Sequence, residues 1–218
     1  MPGVAEADAY LATPSGGKGQ GVLVIHAWWG LNDFFCSVCD RLASDGFVAL
    51  APDLFEGRVA STIQQARKLR SRPRKEPTHK TLLRAIDRLQ GLPQVQGRSM
   101  GVIGFSMGGH WALWLAANHP ELRLKAVTTF YGARAGDYRA SPAAFQGHFA
   151  EDDPWVSASA LKKLRQSLEL APRGAEVYIY PGTGHWFFES DRDEAYHRQA
   201  SELAWRRTRT FLRKHLKA

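Results

Sequence analysis

The feature that most narrows what this chain can fold into is Gly104-Phe105-Ser106-Met107-Gly108-Gly109, a G-x-S-x-G pattern between a buried-strand run at residues 101–105 and a segment of helical period at 107–118. The placement carries the information. A serine held on a tight strand-to-helix turn needs neighbours without clashing Cβ atoms, which Gly104 and Gly108 supply. The helix that follows aims its first backbone N–H groups toward the serine hydroxyl. Outside that context the same letters would describe a glycine-rich turn.

Short β-branched runs alternate with helical segments along the rest of the chain. Residues 22–25, 47–51, 101–105, 125–131, 145–150 and 176–180 read as strands. Residues 31–45, 107–118, 158–170 and 192–215 read as helices, with Gly46 ending the first and Pro120 closing off the second. This α/β order predicts a mostly parallel central sheet with helices on both faces, and ligands at the carboxyl ends of its strands. A length of 218 residues suits one such domain over residues 1–218. The stretch 56–77 is the least predictable, because Pro73 and Pro77 break its charged helical pattern.

A serine hydroxyl is a poor nucleophile at neutral pH. It needs a base within hydrogen-bond reach and a group that fixes the base's tautomer. On a sheet of this kind the acid and the histidine follow the serine in that order, each from a loop after a later strand. Residues 149–154, Phe-Ala-Glu-Asp-Asp-Pro, follow the fifth predicted strand, and residues 181–185, Pro-Gly-Thr-Gly-His, follow the sixth. Of the eight histidines, His185 alone lies in a glycine-rich loop after a late strand. His110, His119 and His197 fall on predicted helices and His148 falls inside the fifth strand. Asp153 is favoured as the acid because Pro154 and Val156 follow it at a turn, with Glu151 and Asp152 as open alternatives. A tetrahedral intermediate also needs oxyanion donors. Met107 N–H is one candidate and Trp28 N–H, in His26-Ala27-Trp28-Trp29-Gly30 after the first predicted strand, is the other. Trp29 and Trp186 are candidate walls of an apolar or aromatic acyl pocket.

Net charge of +8 and a pI near 9.7 raise the question of an acidic partner. The excess gathers at Arg67, Lys68, Arg70, Arg72, Arg74 and Lys75, and again at Arg206, Arg207, Arg209, Arg213, Lys214 and Lys217. Neither cluster interleaves aromatic residues in a stacking pattern, so both read as solvated helix faces and no nucleic-acid partner is expected. No run approaches the roughly 18 apolar residues that span a bilayer, and no secretory signal opens the chain. No membrane association is expected and the expected location is the cytoplasm. Cys36 and Cys39 read as two reduced thiols on one helix; no metal site or cofactor is expected.

Several separated motifs together resemble the dienelactone hydrolase family of the α/β-hydrolase superfamily, over nearly the whole chain. They are residues 24–32 (Val-Ile-His-Ala-Trp-Trp-Gly-Leu-Asn), 51–54 (Ala-Pro-Asp-Leu), the turn at Ser106, 147–156 (Gly-His-Phe-Ala-Glu-Asp-Asp-Pro-Trp-Val) and 180–185 (Tyr-Pro-Gly-Thr-Gly-His). The resemblance implies Asp153 as the triad acid and a carboxylic-ester hydrolase that cleaves a small-molecule ester or lactone through an acyl-enzyme. Two departures stand out. The founding members use a cysteine controlled by a glutamate where this chain has Ser106 and Ala27. They also carry a carboxylate-binding arginine shortly after the histidine, where this chain has Trp186-Phe187-Phe188-Glu189. An acid in place of a cation argues for a neutral or aromatic ester. The rival readings are an acyltransferase or small peptidase on the same triad, and a non-catalytic binding protein that keeps the fold.

Overall fold

The structure is a computed structural model describing residues 3–5, 8–71 and 78–216. Arg72, Arg74, Lys75, the two prolines at 73 and 77, and Lys217 lie outside the described residues. The chain forms two compact units, residues 1–100 and residues 101–217.

The first unit contains β1 (Val4–Ala5), β2 (Ala9–Ala12), β3 (Gly19–Ile25), α1 (Asp33–Ser44), β4 (Val48–Pro52), α2 (Ile63–Ser71), α3 (Thr78–Gly91) and the start of β5 (Val95–Phe105). Its strands run in the order β1-β2-β4-β3. β3 and β4 pair in parallel, β2 lies antiparallel to β4, and β1 antiparallel to β2. β4 and nearly all of β3 are buried, as unbroken apolar runs covered on both faces must be. Asn32 caps α1 by accepting from Phe35 N–H at 3.3 Å, and Gly46, at φ 94°, takes the left-handed turn that ends it. Cys36 and Cys39 do share α1. Burial raises both thiols, Cys36 to about 11, so neither is a thiolate near neutral pH.

β1 and β2 escape sequence reading because they are short and Ala9–Ala12 has no β-branched residue. α3, which the sequence reading did not name, buries Leu82, Ala85, Ile86 and Leu89 at helical spacing beyond the proline-broken stretch.

The second unit contains the end of β5, α4 (Met107–Asn118), β6 (Leu124–Phe130), β7 (Ala144–Asp152), α5 (Ala158–Glu169), β8 (Ala175–Gly184) and α6 (Arg198–His215). Its strands run β5-β6-β7-β8, with β6/β7 and β7/β8 parallel. α6 starts at 198, because the preceding residues form turns closed by Ala195 and Tyr196 N–H on the Arg192 carbonyl. His197 then serves as a cap, its Nδ1 accepting from Ala200 N–H at 3.3 Å. His119 likewise ends α4 and is not one of its helical residues. Within the second basic cluster, the Arg207 guanidinium lies 3.9 Å from the Tyr178 ring centroid, so this charge is packed on an aromatic face.

His148, on β7, is wholly buried. Its Nδ1 accepts from Tyr180 O–H at 2.7 Å and its Nε2–H faces Gln146 Oε1 and Thr208 Oγ1, both at 3.0 Å. Burial, helped by the nearby Arg207 charge, pushes its pKa down to about 3 from an ordinary 6.5. The unfolded chain therefore binds one more proton than the folded chain between those two values. Stability contributed by His148 is present above pH 6.5 and is lost on acidification, at about 1.4 kcal/mol per pH unit. Urea unfolding at several pH values checks this: His148→Gln should lose that part of the slope, and an unchanged slope contradicts it.

Candidate active site

β5 runs directly into α4 through Ser106, whose φ of 49° and ψ of −109° are strained for a residue with a side chain. Two hydrogen bonds hold it there: Ser106 N–H donates to the Phe130 carbonyl at 2.9 Å, and the Ser106 carbonyl accepts from His110 N–H at 3.1 Å. The close approach depends on missing side chains. A Cβ on Gly104 would lie 2.2 Å from the Gly108 carbonyl oxygen, and one on Gly109 would lie 2.2 Å from Thr129 Oγ1. Gly109 thus carries a packing requirement that the motif alone does not reveal. Met107 opens α4, so its N–H is among the first-turn donors with no acceptor inside the helix.

The loop after β7 brings in the acid. Asp153 Oδ1 accepts from Trp155 N–H at 2.8 Å and Val156 N–H at 3.0 Å, which orients the carboxylate before Ser157 caps α5. Its Oδ2 lies 2.7 Å from His185 Nδ1, and His185 Nε2 lies 2.9 Å from Ser106 Oγ. The side chains of His185 and Asp153 are each only 3% exposed, so water competes little for the hydrogen bond between them. With Nδ1–H donating to the carboxylate, Nε2 is left to accept the serine proton. Of the two other acids considered, Glu151 accepts from Gly182 N–H at 2.9 Å and Asp152 is exposed at the end of β7. Asp153 is the member of the trio bonded to the histidine.

Behind the imidazole sits a pair that sequence reading missed. Tyr131, fully buried at φ 40°, places its ring 4.8 Å from that of His185, and its O–H donates to Glu189 Oε1 at 2.7 Å. Burial and the neighbouring Glu189 carboxylate hold the Tyr131 hydroxyl well above the ordinary tyrosine range, so it stays a donor. Glu189 itself is 0% exposed. Glu189 is therefore a buried carboxylate bonded to Tyr131 and not an exposed group that a substrate would touch. Three of the five non-glycine residues with positive φ among the described residues are Ser106, Tyr131 and Trp186, so backbone strain gathers at this site.

The Tyr131–Glu189 bond ties the His185 loop to the end of β6, next to the carbonyl that holds Ser106 N–H. Glu189→Ala should destabilise the protein by about 1–3 kcal/mol by stranding a buried hydroxyl, and Glu189→Gln by clearly less because the amide oxygen still accepts. Urea denaturation of both variants checks this, and equal losses contradict it.

The remaining expected residues lie as follows. Trp186 follows His185 directly, with ring centroids 5.0 Å apart. Trp28 and Trp29 belong to the first unit, where they pack edge to face at 5.5 Å and Trp29 is only 2% exposed. His26 braces their segment, with Nδ1–H donating to the Ala27 carbonyl at 2.6 Å and Nε2 accepting from Leu54 N–H at 3.1 Å. Among the described residues, no helix is long and apolar enough to cross a membrane.

A serine on a strand-to-helix turn, with an aspartate and a histidine on the loops of two later parallel strands, is the arrangement of the α/β-hydrolase class. The chain belongs to the dienelactone hydrolase family, whose sequence profile matches residues 7–216. Among its relatives is a Bradyrhizobium protein named probable 2-oxo-3-(5-oxofuran-2-ylidene)propanoate lactonase, 32% identical, with 95% of this chain and 89% of that one covered. Similar solved structures include a dienelactone hydrolase-like promiscuous phosphotriesterase from metagenomic libraries, with a TM-score of 0.81, 24% identity, and 96% and 92% coverage of the two chains. An α/β-hydrolase from a Medee basin deep-sea metagenome library has a TM-score of 0.70 at 15% identity, with 97% of this chain and 99% of that one covered. These two structures bear on the fold.

Proposed function

We propose that this chain is a serine hydrolase that cleaves a small ester or lactone through an acyl-enzyme on Ser106. The observation that carries the reading is the continuous hydrogen-bonded chain from Ser106 Oγ through His185 to Asp153, with distances of 2.9 and 2.7 Å. His185 Nε2 takes the hydroxyl proton as Ser106 Oγ attacks the carbonyl carbon. Asp153 stabilises the imidazolium that forms. The oxyanion is assigned to Met107 N–H and, from the segment after β3, to Trp28 N–H; the second assignment rests on the family resemblance. His185 then protonates the leaving oxygen as the C–O bond breaks. In the second half the same histidine activates water, which releases the acid and regenerates Ser106.

Membership of a family named for a lactone hydrolase, and a relative named as a lactonase, support esters and lactones as the substrate class. Rapid mixing with p-nitrophenyl acetate tests the two-step course. A burst approaching one p-nitrophenolate per chain, followed by slower turnover, is the expected result where deacylation limits. Turnover of neither esters nor lactones by folded protein would overturn the assignment.

A further inference from the structure

Resting on the hydrolase reading of Ser106, we propose that Trp155 and Trp186 form the subsite for the ester's leaving group, and that this subsite favours a flat aromatic alcohol. The Nε2 that takes the proton from Ser106 must deliver it to the departing alcohol oxygen, so that oxygen comes within hydrogen-bond reach of the imidazole. The rest of the leaving group must then extend past the histidine's ring.

Three aromatic rings surround that imidazole. Tyr131 occupies the buried side, with its hydroxyl bonded to Glu189. Trp186 stands edge to face at 5.0 Å and 81°, and Trp155 lies tilted at 6.4 Å. Their two indoles are 5.8 Å apart at 46°, and the exposed part of the Trp155 indole leaves aromatic surface on which a third ring could pack.

The local backbone explains neither tryptophan. At position 155 the main-chain N–H orients Asp153, a task open to any residue except proline, yet the side chain is an indole left 42% exposed. At position 186 the backbone holds φ at 68°, a conformation glycine adopts more easily. Large aromatic side chains stand beside the imidazole ring at both places. This moves Trp186 from the acyl side, where the sequence placed it, to the alcohol side.

The test compares phenyl acetate with ethyl acetate in the native protein, Trp155→Ala, Trp155→Leu and Trp155→Phe. Both esters yield the same acetyl-enzyme, so a leaving-group contact shows in the ratio of their kcat/KM values and not in acetyl-enzyme hydrolysis. Trp155→Ala and Trp155→Leu should each lower the phenyl-to-ethyl ratio by about fivefold, with Trp155→Phe restoring most of it. Phenyl acetate against phenyl butyrate, which share an alcohol, should keep its ratio within about twofold. An unmoved phenyl-to-ethyl ratio, or an equal shift in the acyl ratio, overturns the subsite while leaving the hydrolase intact. Native protein that hydrolyses phenyl acetate no faster than Ser106→Ala overturns the hydrolase reading, and the subsite falls with it. Trp155→Leu keeps the comparison available if the alanine variant does not fold.

Discussion

Ser106→Ala is expected to lower kcat for ester hydrolysis by about a millionfold, with a circular dichroism spectrum and urea midpoint close to those of the native chain. The size of the loss follows from cooperation. In the proposed mechanism His185 and Asp153 activate one hydroxyl, so without it the charges and hydrogen bonds around it accelerate nothing beyond what binding and oxyanion contacts achieve. The small structural cost follows from how the turn is held. Ser106 is fixed by main-chain hydrogen bonds to Phe130 and from His110, both of which survive the substitution. A loss below about a hundredfold would show that another group is the nucleophile.

Asp153→Asn should cost about ten thousandfold in kcat, and the reason can be read atom by atom. Oδ1 is held by two N–H donors, from Trp155 and Val156, so in the variant the amide oxygen must stay there. The amide nitrogen is then turned toward His185 Nδ1, where two donors would face each other unless the imidazole shifts its proton to Nε2. With Nε2 protonated, the histidine can no longer accept from Ser106. Steady-state kinetics of the variant, beside an unfolding curve to establish that it folds, give the test. A loss under about tenfold would mean that Asp153 does not set the histidine's tautomer.

Both predictions concern residues that local sequence rules could find. The turn at Ser106 was legible because strand, glycines and helix must adjoin there, and the helix at Met107–Asn118 has the residues read for it. His185 was legible from its glycine-rich loop, whereas choosing Asp153 among three acids required the turn that follows it. What stayed hidden was hidden by distance along the chain. Tyr131 reads as the apolar end of a strand and Glu189 as an acid where the family carries a carboxylate-binding arginine; their 2.7 Å bond joins residues 58 apart in sequence. The burial of Glu189 went unread for that reason, since one-dimensional position does not report burial. Gly109 is similar: its need for a bare Cα comes from Thr129 and Gly132, on and just after β6, to which the G-x-S-x-G pattern does not refer. The edge strands β1 and β2 were too short to show a period, and Trp155 was one aromatic among many until its ring was placed beside His185.

The most direct measurement of the central claim is intact mass after incubation with a fluorophosphonate, followed by peptide mapping, on the native chain and on Ser106→Ala. Such a probe reports an activated serine whatever the natural substrate is. The account predicts one adduct per chain, mapped to Ser106 and absent from the variant. An adduct at another residue, or none on well-folded protein, would contradict it.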